Sequence, residues 1–382
     1  MSLQPSRQSG VALLAALILM LAVVMVMGNI FYRHQIDITQ AAASIHSDQA
    51  LLLAMSGESW ARQLLSDQED DRAVDSFDED WAQALPMLPV DGGMITGCIS
   101  DLQGRININN FADYSAQSLQ KELDADNSGL AIAWLQLLTQ LDLLADPSRV
   151  AQIIDWLDAD SNLINSWGAE QADYDSLLSP RVPANSKVTD ISELAAIKSY
   201  QVAEVQLLAP WLSALPRHTS ININTASQPL ISALVGMLSQ DIAALVIEER
   251  PFESINEFYQ LMLQNTQLAL PEVQLRWPET LISVNSDYFE LYLEVILGEA
   301  RIEVRSIMDR FKRNEPVIIA RQLTFVPAAL PKPSLSAAEA LFNSEADSGI
   351  LGDPEAESLA EANANAGTND MQSACIMIGE MN

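Results

Sequence analysis

The chain opens on an unbroken apolar stretch. From Val11 to Tyr32 there is no charged side chain, a run of 22 residues. A helix of that length spans about 33 Å, enough to cross the roughly 30 Å hydrocarbon core of a bilayer. Neither Gly nor Pro interrupts the sequence from Asn29 to Ser56, and Ile36, Ile38, Ala41, Ile45, Leu51 and Ala54 continue an apolar stripe among polar neighbours. The pattern predicts one helix over 11–66, apolar first and amphipathic after. An acidic stretch at 67–80 reads as a solvated loop. Gly93 to Asp101 alternates in part and predicts a strand, followed by turn residues Gln103-Gly104 and by Arg105-Ile106-Asn107-Ile108-Asn109.

Helical periodicity then takes over from about 111 to 280, with leucine-rich stretches at 130–145, 191–215, 227–248 and 254–264. Period-two alternation returns at Phe289, Leu291, Leu293, Val295 and Leu297, then at Ile302, Val304, Ser306 and Met308, with a third strand expected from Pro316 to Phe325. Strand, helical insert, then strands implies an α+β fold: a long N-terminal helix on a small antiparallel sheet (67–110 and 281–326) with a large all-α domain (111–280) inserted into it. Residues 327–382 lack periodicity and are rich in Ala, Glu, Asn, Asp, Ser and Pro, the composition of a disordered acidic tail.

With 382 residues the chain has length for two or three folded units. Its 20 Lys and Arg against 51 Asp and Glu give a net charge of −31. That balance argues against a nucleic-acid binder, whose affinity comes from basic side chains displacing counterions. Three histidines leave little for a His-based triad or zinc site. The two cysteines, Cys98 on the first strand and Cys375 within Ala374-Cys375-Ile376-Met377-Ile378, suggest a tether from the tail to the sheet in an oxidising compartment, with two free thiols the alternative.

Two constellations could carry chemistry. Asp155, Asp158, Asp160, Glu170 and Asp173 crowd a loop between helical stretches. Closely spaced hard oxygens suit Ca²⁺, although the spacing is not that of an EF-hand; a solvated Asp-rich helix end is the plainer reading. The second is Ile221-Asn222-Ile223-Asn224-Thr225-Ala226-Ser227, two helical stretches, and Arg250-Pro251-Phe252. It looks like a helix-hairpin-helix segment of DNA-binding proteins. However, Gly236-Met237-Leu238 lacks the second hairpin glycine, and Asp241, Glu248 and Glu249 would repel phosphate. Asn224 or Thr225 is expected to cap the following helix. Ile106-Asn107-Ile108-Asn109 echoes Ile221-Asn222-Ile223-Asn224 and hints at a weak duplication. Gly-rich phosphate loops, nucleophile elbows and C-x-x-C pairs are missing, so enzymatic activity has no positive support.

The apolar run ends in Met27-Gly28-Asn29-Ile30-Phe31-Tyr32 without an A-x-A cleavage site, and Arg7 and Arg33 flank it evenly. A short leader ending in Gly10, with the apolar helix starting at Val11, resembles the N-terminus of type IV pilins, cut by prepilin peptidase between those two residues. Glycine there lets the protease approach the backbone. Pilins and most pseudopilins carry Glu at the fifth mature position; here Ala15 stands there. In those families the buried acid pairs with the amine of the subunit ahead, since an unpaired charge in hydrocarbon is costly. A subunit without it can only come first, at a filament tip.

Val90-Asp91-Gly92-Gly93, Arg105-Ile106-Asn107-Ile108-Asn109-Asn110, Asp155-Trp156-Leu157-Asp158-Ala159-Asp160 with Gly168-Ala169-Glu170, and Ser286-Asp287-Tyr288-Phe289 follow in an order that resembles minor pseudopilin K of type II secretion. The resemblance runs from residue 1 to about 326. It implies a pilin-type helix and sheet, an inserted α-domain, and bound Ca²⁺ with carboxylates mapping to Asp158, Asp160, Glu170 and Asp173. It further implies an inner-membrane anchor with the bulk in the periplasm, and a pseudopilus tip shared with minor pseudopilins I and J. A membrane-anchored DNA-uptake protein is the rival reading, and an anchored periplasmic enzyme a third.

Overall fold

The computed structural model describes residues 9–66, 74–83, 85–124, 129–235, 240–298, 300–312 and 315–326. The leader up to Gln8, the hairpin residues Gly236 to Leu238, and the tail with Cys375 lie outside them. The first element is α1 (Ser9–Leu65), 57 residues in one helix, or about 86 Å at 1.5 Å per residue. Strands β1 (Leu85–Val90) and β2 (Gly93–Asp101) follow, and then a mainly helical body. That body contains β3 (Ile106–Asn107), α2 (Ala116–Asp124), α3 (Leu130–Gln140), α4 (Pro147–Leu157), α5 (Gln171–Asp175), α6 (Val202–Leu208) and β4 (Leu212–Ser213). It continues through β5 (Ile221–Asn222), α7 (Gln228–Val235), α8 (Gln240–Glu248), α9 (Ile255–Asn265), α10 (Leu270–Arg276) and β6 (Ile282–Ser283). The chain returns to strands with β7 (Tyr288–Leu297), β8 (Ala300–Asp309) and β9 (Val317–Val326).

The main sheet is antiparallel, in the order β1-β2-β7-β8-β9. β2 pairs along its whole length with β7, Ile99 opposite Leu291 and Ile95 opposite Val295, so the helical body is an insertion between two neighbouring strands. Alternation decides which side is buried. Ile95, Ile99, Phe289, Leu291, Leu293, Val295, Ile302, Val304 and Met308 all pack against the second half of α1. That half presents Ala50, Ala54, Ala61 and Leu65, spaced for a single helix face, with Gly57 among them. The small side chains bring helix and sheet close: a Cβ on Gly57 would sit 2.6 Å from Leu293 Cδ1. The first half is different. From Leu13 to Tyr32 the large apolar side chains are all exposed, and α1 is long and apolar enough to cross a membrane.

Three expectations change. β1, with Pro86 and Pro89, carries no strong strand signal, but as an edge strand it can dispense with the missing N–H donors. Ile106–Asn107 pairs in parallel with β4 rather than joining the main sheet, and residues 108–113 curl into a 3-10 turn. The acidic stretch is not wholly solvated: Asp75 and Ser76 are buried, and Trp81 stacks edge-on against Phe289 with ring centroids 5.0 Å apart.

Candidate functional site

α4 begins where Asp146 accepts a hydrogen bond from the Ser148 N–H (2.8 Å), with Pro147 in the first turn, and it stops at Asp158, whose backbone is extended. The loop that follows is fastened from beneath by Asp155. Its carboxylate accepts hydrogen bonds from the Ile164 N–H (2.8 Å) and the Ala169 N–H (2.7 Å). Burial pushes the Asp155 carboxyl up to about 7 against the pull of these two donors. Gly168 has no side chain for a plain reason: a Cβ would lie 1.9 Å from Asp155 Oδ2. Trp156 and Tyr174, ring centroids 5.3 Å apart, pack the floor.

The four expected ligands do not converge equally. Asp173 is turned away: it accepts from Lys198 Nζ at 2.8 Å and from the Glu170 N–H at 3.3 Å, so it closes the first turn of α5, and the lysine lowers its pKa. Asp160 is exposed and spends Oδ1 on the Asn162 N–H and side-chain amide. Asp158 and Glu170 each keep one buried carboxylate oxygen with no hydrogen-bond donor, Oδ1 and Oε1. Both are raised, first by burial, then by neighbouring acid: Asp160 acts on Asp158, and Asp158 on Glu170. Asn185, whose amide donates to the Asp160 carbonyl, also leaves Oδ1 buried and unpartnered. Sequence alone gave no hint of Asn185. Its one structural signal is a left-handed backbone, φ 44°.

Among the described residues no group of three or more His, Cys, Asp or Glu side chains could hold a metal ion. Three buried oxygens without donors, on Asp158, Glu170 and Asn185, nevertheless have the chemistry of ligands to a hard cation, which also takes amide and backbone carbonyls. Asp158 Oδ1, Glu170 Oε1 and Asn185 Oδ1 are therefore oxygens of the kind Ca²⁺ takes, while Asp160 and Asp173 are engaged by Asn162 and Lys198.

The Ile-Asn strings are structural, and they are equivalent. Asn107 Oδ1 accepts from the Asn109 N–H, and Asn222 Oδ1 from the Asn224 N–H. The Asn109 amide then pairs with both N–H and C=O of Val188, as Asn224 does with those of Phe252. Neither Asn224 nor Thr225 adjoins α7, which begins at Gln228: the Asn224 side chain pairs with Phe252, and Thr225 Oγ1 donates to Asp101 Oδ2 at 2.6 Å. Asp101 also accepts from Asn222 Nδ2, Ser286 Oγ and the Gln103 N–H. Asp75 takes the Ser286 N–H and Arg310. This buried polar seam joins sheet to helical body. On α8, Asp241 and Glu248 are exposed, as is Glu249 just beyond it, a surface that repels phosphate.

The remaining positions are simply placed. Gly10 and Val11 lie in the first turn of α1, and Ala15 is exposed on its apolar half. Cys98 is buried in β2 and is not a free thiol. β9 closes the sheet as an edge strand and exposes Val317, Ile319, Leu323 and Phe325. Leu323 and Phe325, opposite Val304 and Ile302, lie on the side of Arg321, which reaches Glu58 of α1, whereas Val317 stands opposite Asp309 beyond a bulge.

Two family models described as Type II secretion system (T2SS), protein K match residues 104–217 and 221–285. Type II secretion system protein K of Aeromonas hydrophila is 29% identical over 329 residues, covering 82% of this chain and 97% of the relative. The protein K of Pseudomonas aeruginosa is 30% identical over 341 residues, 86% of this chain and 96% of the relative. A chain from the crystal structure of the GspK-GspI-GspJ complex from the enterotoxigenic Escherichia coli type 2 secretion system superposes with a TM-score of 0.62 at 22% identity. It covers 75% of this chain and 99% of that one, which shows a common fold. With similarity sustained from end to end of the relatives and across most of its own length, the chain belongs to the family of type II secretion system protein K.

Proposed function

We propose that this protein is a non-enzymatic minor pseudopilin that starts and caps the pseudopilus of type II secretion, in complex with minor pseudopilins I and J. The observation that carries the reading is Ala15: an exposed apolar half-helix without a carboxylate where a follower subunit needs one. Three features support it. The apolar half of α1 continues without a break into the half that packs on the sheet, so an anchor and a folded head move as one rod. Among the described residues the outer edge of β9 is unpaired, and apolar side chains beside a cavity of 120 Å³ lined by Leu51, Ala54, Met55, Glu58, Val304, Arg321 and Leu323 suit a partner's helix or strand. The solved relative is itself named for a complex with I and J subunits. The helix rests in the inner membrane with the body in the periplasm until assembly.

Prepilin peptidase removes residues 1–10, leaving Val11 with a methylated amine. Intact-mass analysis of membrane-extracted protein reads this directly; a full-length mass overturns it. Labelling the protein in isolated pseudopili tests the position: signal at one end is expected, and signal along the shaft is fatal to the tip reading. Asp158, Glu170 and Asn185 would hold Ca²⁺, and the ion would neutralise the loop's carboxylates. Chelation is expected to lower the melting temperature of the wild type but not of Asp158→Asn. A wild type indifferent to chelator refutes the site.

A further inference from the structure

A cavity of 250 Å³ is lined by Ser76, Phe77 and Asp78 of the loop before β1 and by Asn224, Ile247, Arg250 and Pro251 of the helical body. Arg250 stands out among them. Its Nη2 donates to the Ala226 carbonyl at 2.6 Å, while Nε is buried without an acceptor. Among the described residues no carboxylate pairs with this guanidinium, whereas the buried Arg149 and Arg310 each meet one, Glu204 and Asp75. Burial strips the hydration of Arg250 and lowers its pKa to about 10. A cation held in this way, with no counter-charge, costs stability.

The turn it sits on does not call for an arginine. Asn224 pairs with both peptide groups of Phe252 as Asn109 pairs with those of Val188. Two residues earlier stands Arg250 in the one half and Ser186 in the other. The same closure therefore forms over a short neutral side chain, and the guanidinium needs another explanation.

We propose that this cavity binds a single carboxylate carried by a peptide segment of a partner protein, the acid on Arg250 and a neighbouring apolar side chain against Phe77, Ile247 and Pro251. Arginine takes a carboxylate through two parallel N–H bonds, and Nε together with the second hydrogen of Nη2 supplies them. The other polar groups of the lining do not compete. The Asn224 amide is committed to Phe252, and Ser76 Oγ accepts from the Asp78 N–H. Asp78 is exposed, and its charge opposes a dianion such as phosphate more than it opposes one carboxylate. The volume suits one acidic side chain or a chain end, not a folded element. Binding here involves neither α1 nor β9, so it does not depend on membrane anchorage or on a place at the filament tip.

The test is calorimetric titration of the full chain in nonionic detergent with three peptides. Acetyl-Leu-Glu-Leu-amide carries the acid on a side chain, acetyl-Leu-Leu-Leu with a free carboxylate carries it at the chain end, and acetyl-Leu-Gln-Leu-amide carries none. Binding of either acidic peptide, and not of the glutamine peptide, is expected, and the one that binds identifies the source of the acid. Arg250→Gln should weaken that binding at least tenfold while the melting temperature of the free protein stays within a few degrees of wild type or rises. In the wild type, phenylglyoxal labelling of Arg250, read by peptide mass, should slow at least threefold when the acidic peptide saturates, a result that does not require the variant to fold. Equal binding of the glutamine peptide, binding indifferent to Arg250→Gln, or labelling that no peptide slows would overturn the site. Acetate or inorganic phosphate bound as tightly as the acidic peptides would overturn the peptide partner.

Discussion

Asp155 sits at the end of α4 with both carboxylate oxygens occupied by backbone donors of the next loop. Replacing it with Ala leaves the Ile164 and Ala169 N–H groups without partners, at about 1–3 kcal/mol for each group that stays buried. Gly168→Ala attacks the same contact from the other side, pressing a methyl onto Asp155 Oδ2, and should cost roughly 1–3 kcal/mol as overpacking. Urea unfolding reads both, and a neutral Gly168→Ala would show that the loop yields freely. Asp101, like Asp155, is a carboxylate whose pKa burial raises. Burial raises its pKa above 3.8 despite hydrogen bonds from Ser286, Thr225 and the Gln103 N–H. The folded state therefore holds this proton more firmly than the unfolded chain. Its contribution to stability is present below the ordinary pKa and is lost as pH rises through the folded value. The stability margin of wild type over Asp101→Asn should shrink as pH rises above the ordinary carboxylate range, as measured by denaturant titration. A margin that grows with pH refutes the assignment. Residues such as Asn109 and Asn224 could be noticed in the sequence as a repeated string, but not understood. Their partners, Val188 and Phe252, are distant along the chain, and only the fold brings an amide to a peptide group.

At the scale of elements, α1 meets the sheet through small residues and an ion pair whose carboxylate is buried. Arg321 of β9 donates two bonds of 2.6 Å to Glu58 of α1, and Ser306 Oγ donates a third. Arg321→Ala strands a buried carboxylate. The loss should fall below the about 3–5 kcal/mol of a fully buried pair, because the Arg321 side chain is 35% exposed. Thermal unfolding measures it, and no change in melting temperature would mean that water already solvates Glu58. Leu323 and Phe325 point from the edge strand into solvent. Lysine at both positions should leave the melting temperature within a few degrees of wild type while at least tenfold weakening capture of minor pseudopilins I and J. Unchanged capture would move the docking surface elsewhere. The strand periodicities of β7 and β8 were legible because α1 buries one face of each. β1 was not, since two prolines in an edge strand mimic a loop.

Across the whole molecule, the inserted body separates β2 from β7 in sequence, yet the two strands pair residue by residue. Loop closure over so long an insert costs little more than over a short one, because its entropy grows only with the logarithm of length. The polar seam of Asp75, Asp101, Asn222, Thr225, Ser286 and Arg310 ties the body's ends to the sheet. Removing residues 1–32 deletes the exposed apolar half of α1 and none of its sheet contacts. The remainder should stay in solution without detergent and unfold in one piece, and aggregation of that fragment would place an essential contact in the deleted half. The sequence by itself determined the apolar-then-amphipathic helix, the helical insert and the late strands, because periodicity is a local property that burial on one side writes into neighbouring residues. Tertiary structure alone decided that Asp173 serves Lys198, that Asn185 joins the acidic loop and that Asp75 is buried. A carboxylate or amide looks the same in every sequence, and its role is set by whichever distant group the fold delivers to it.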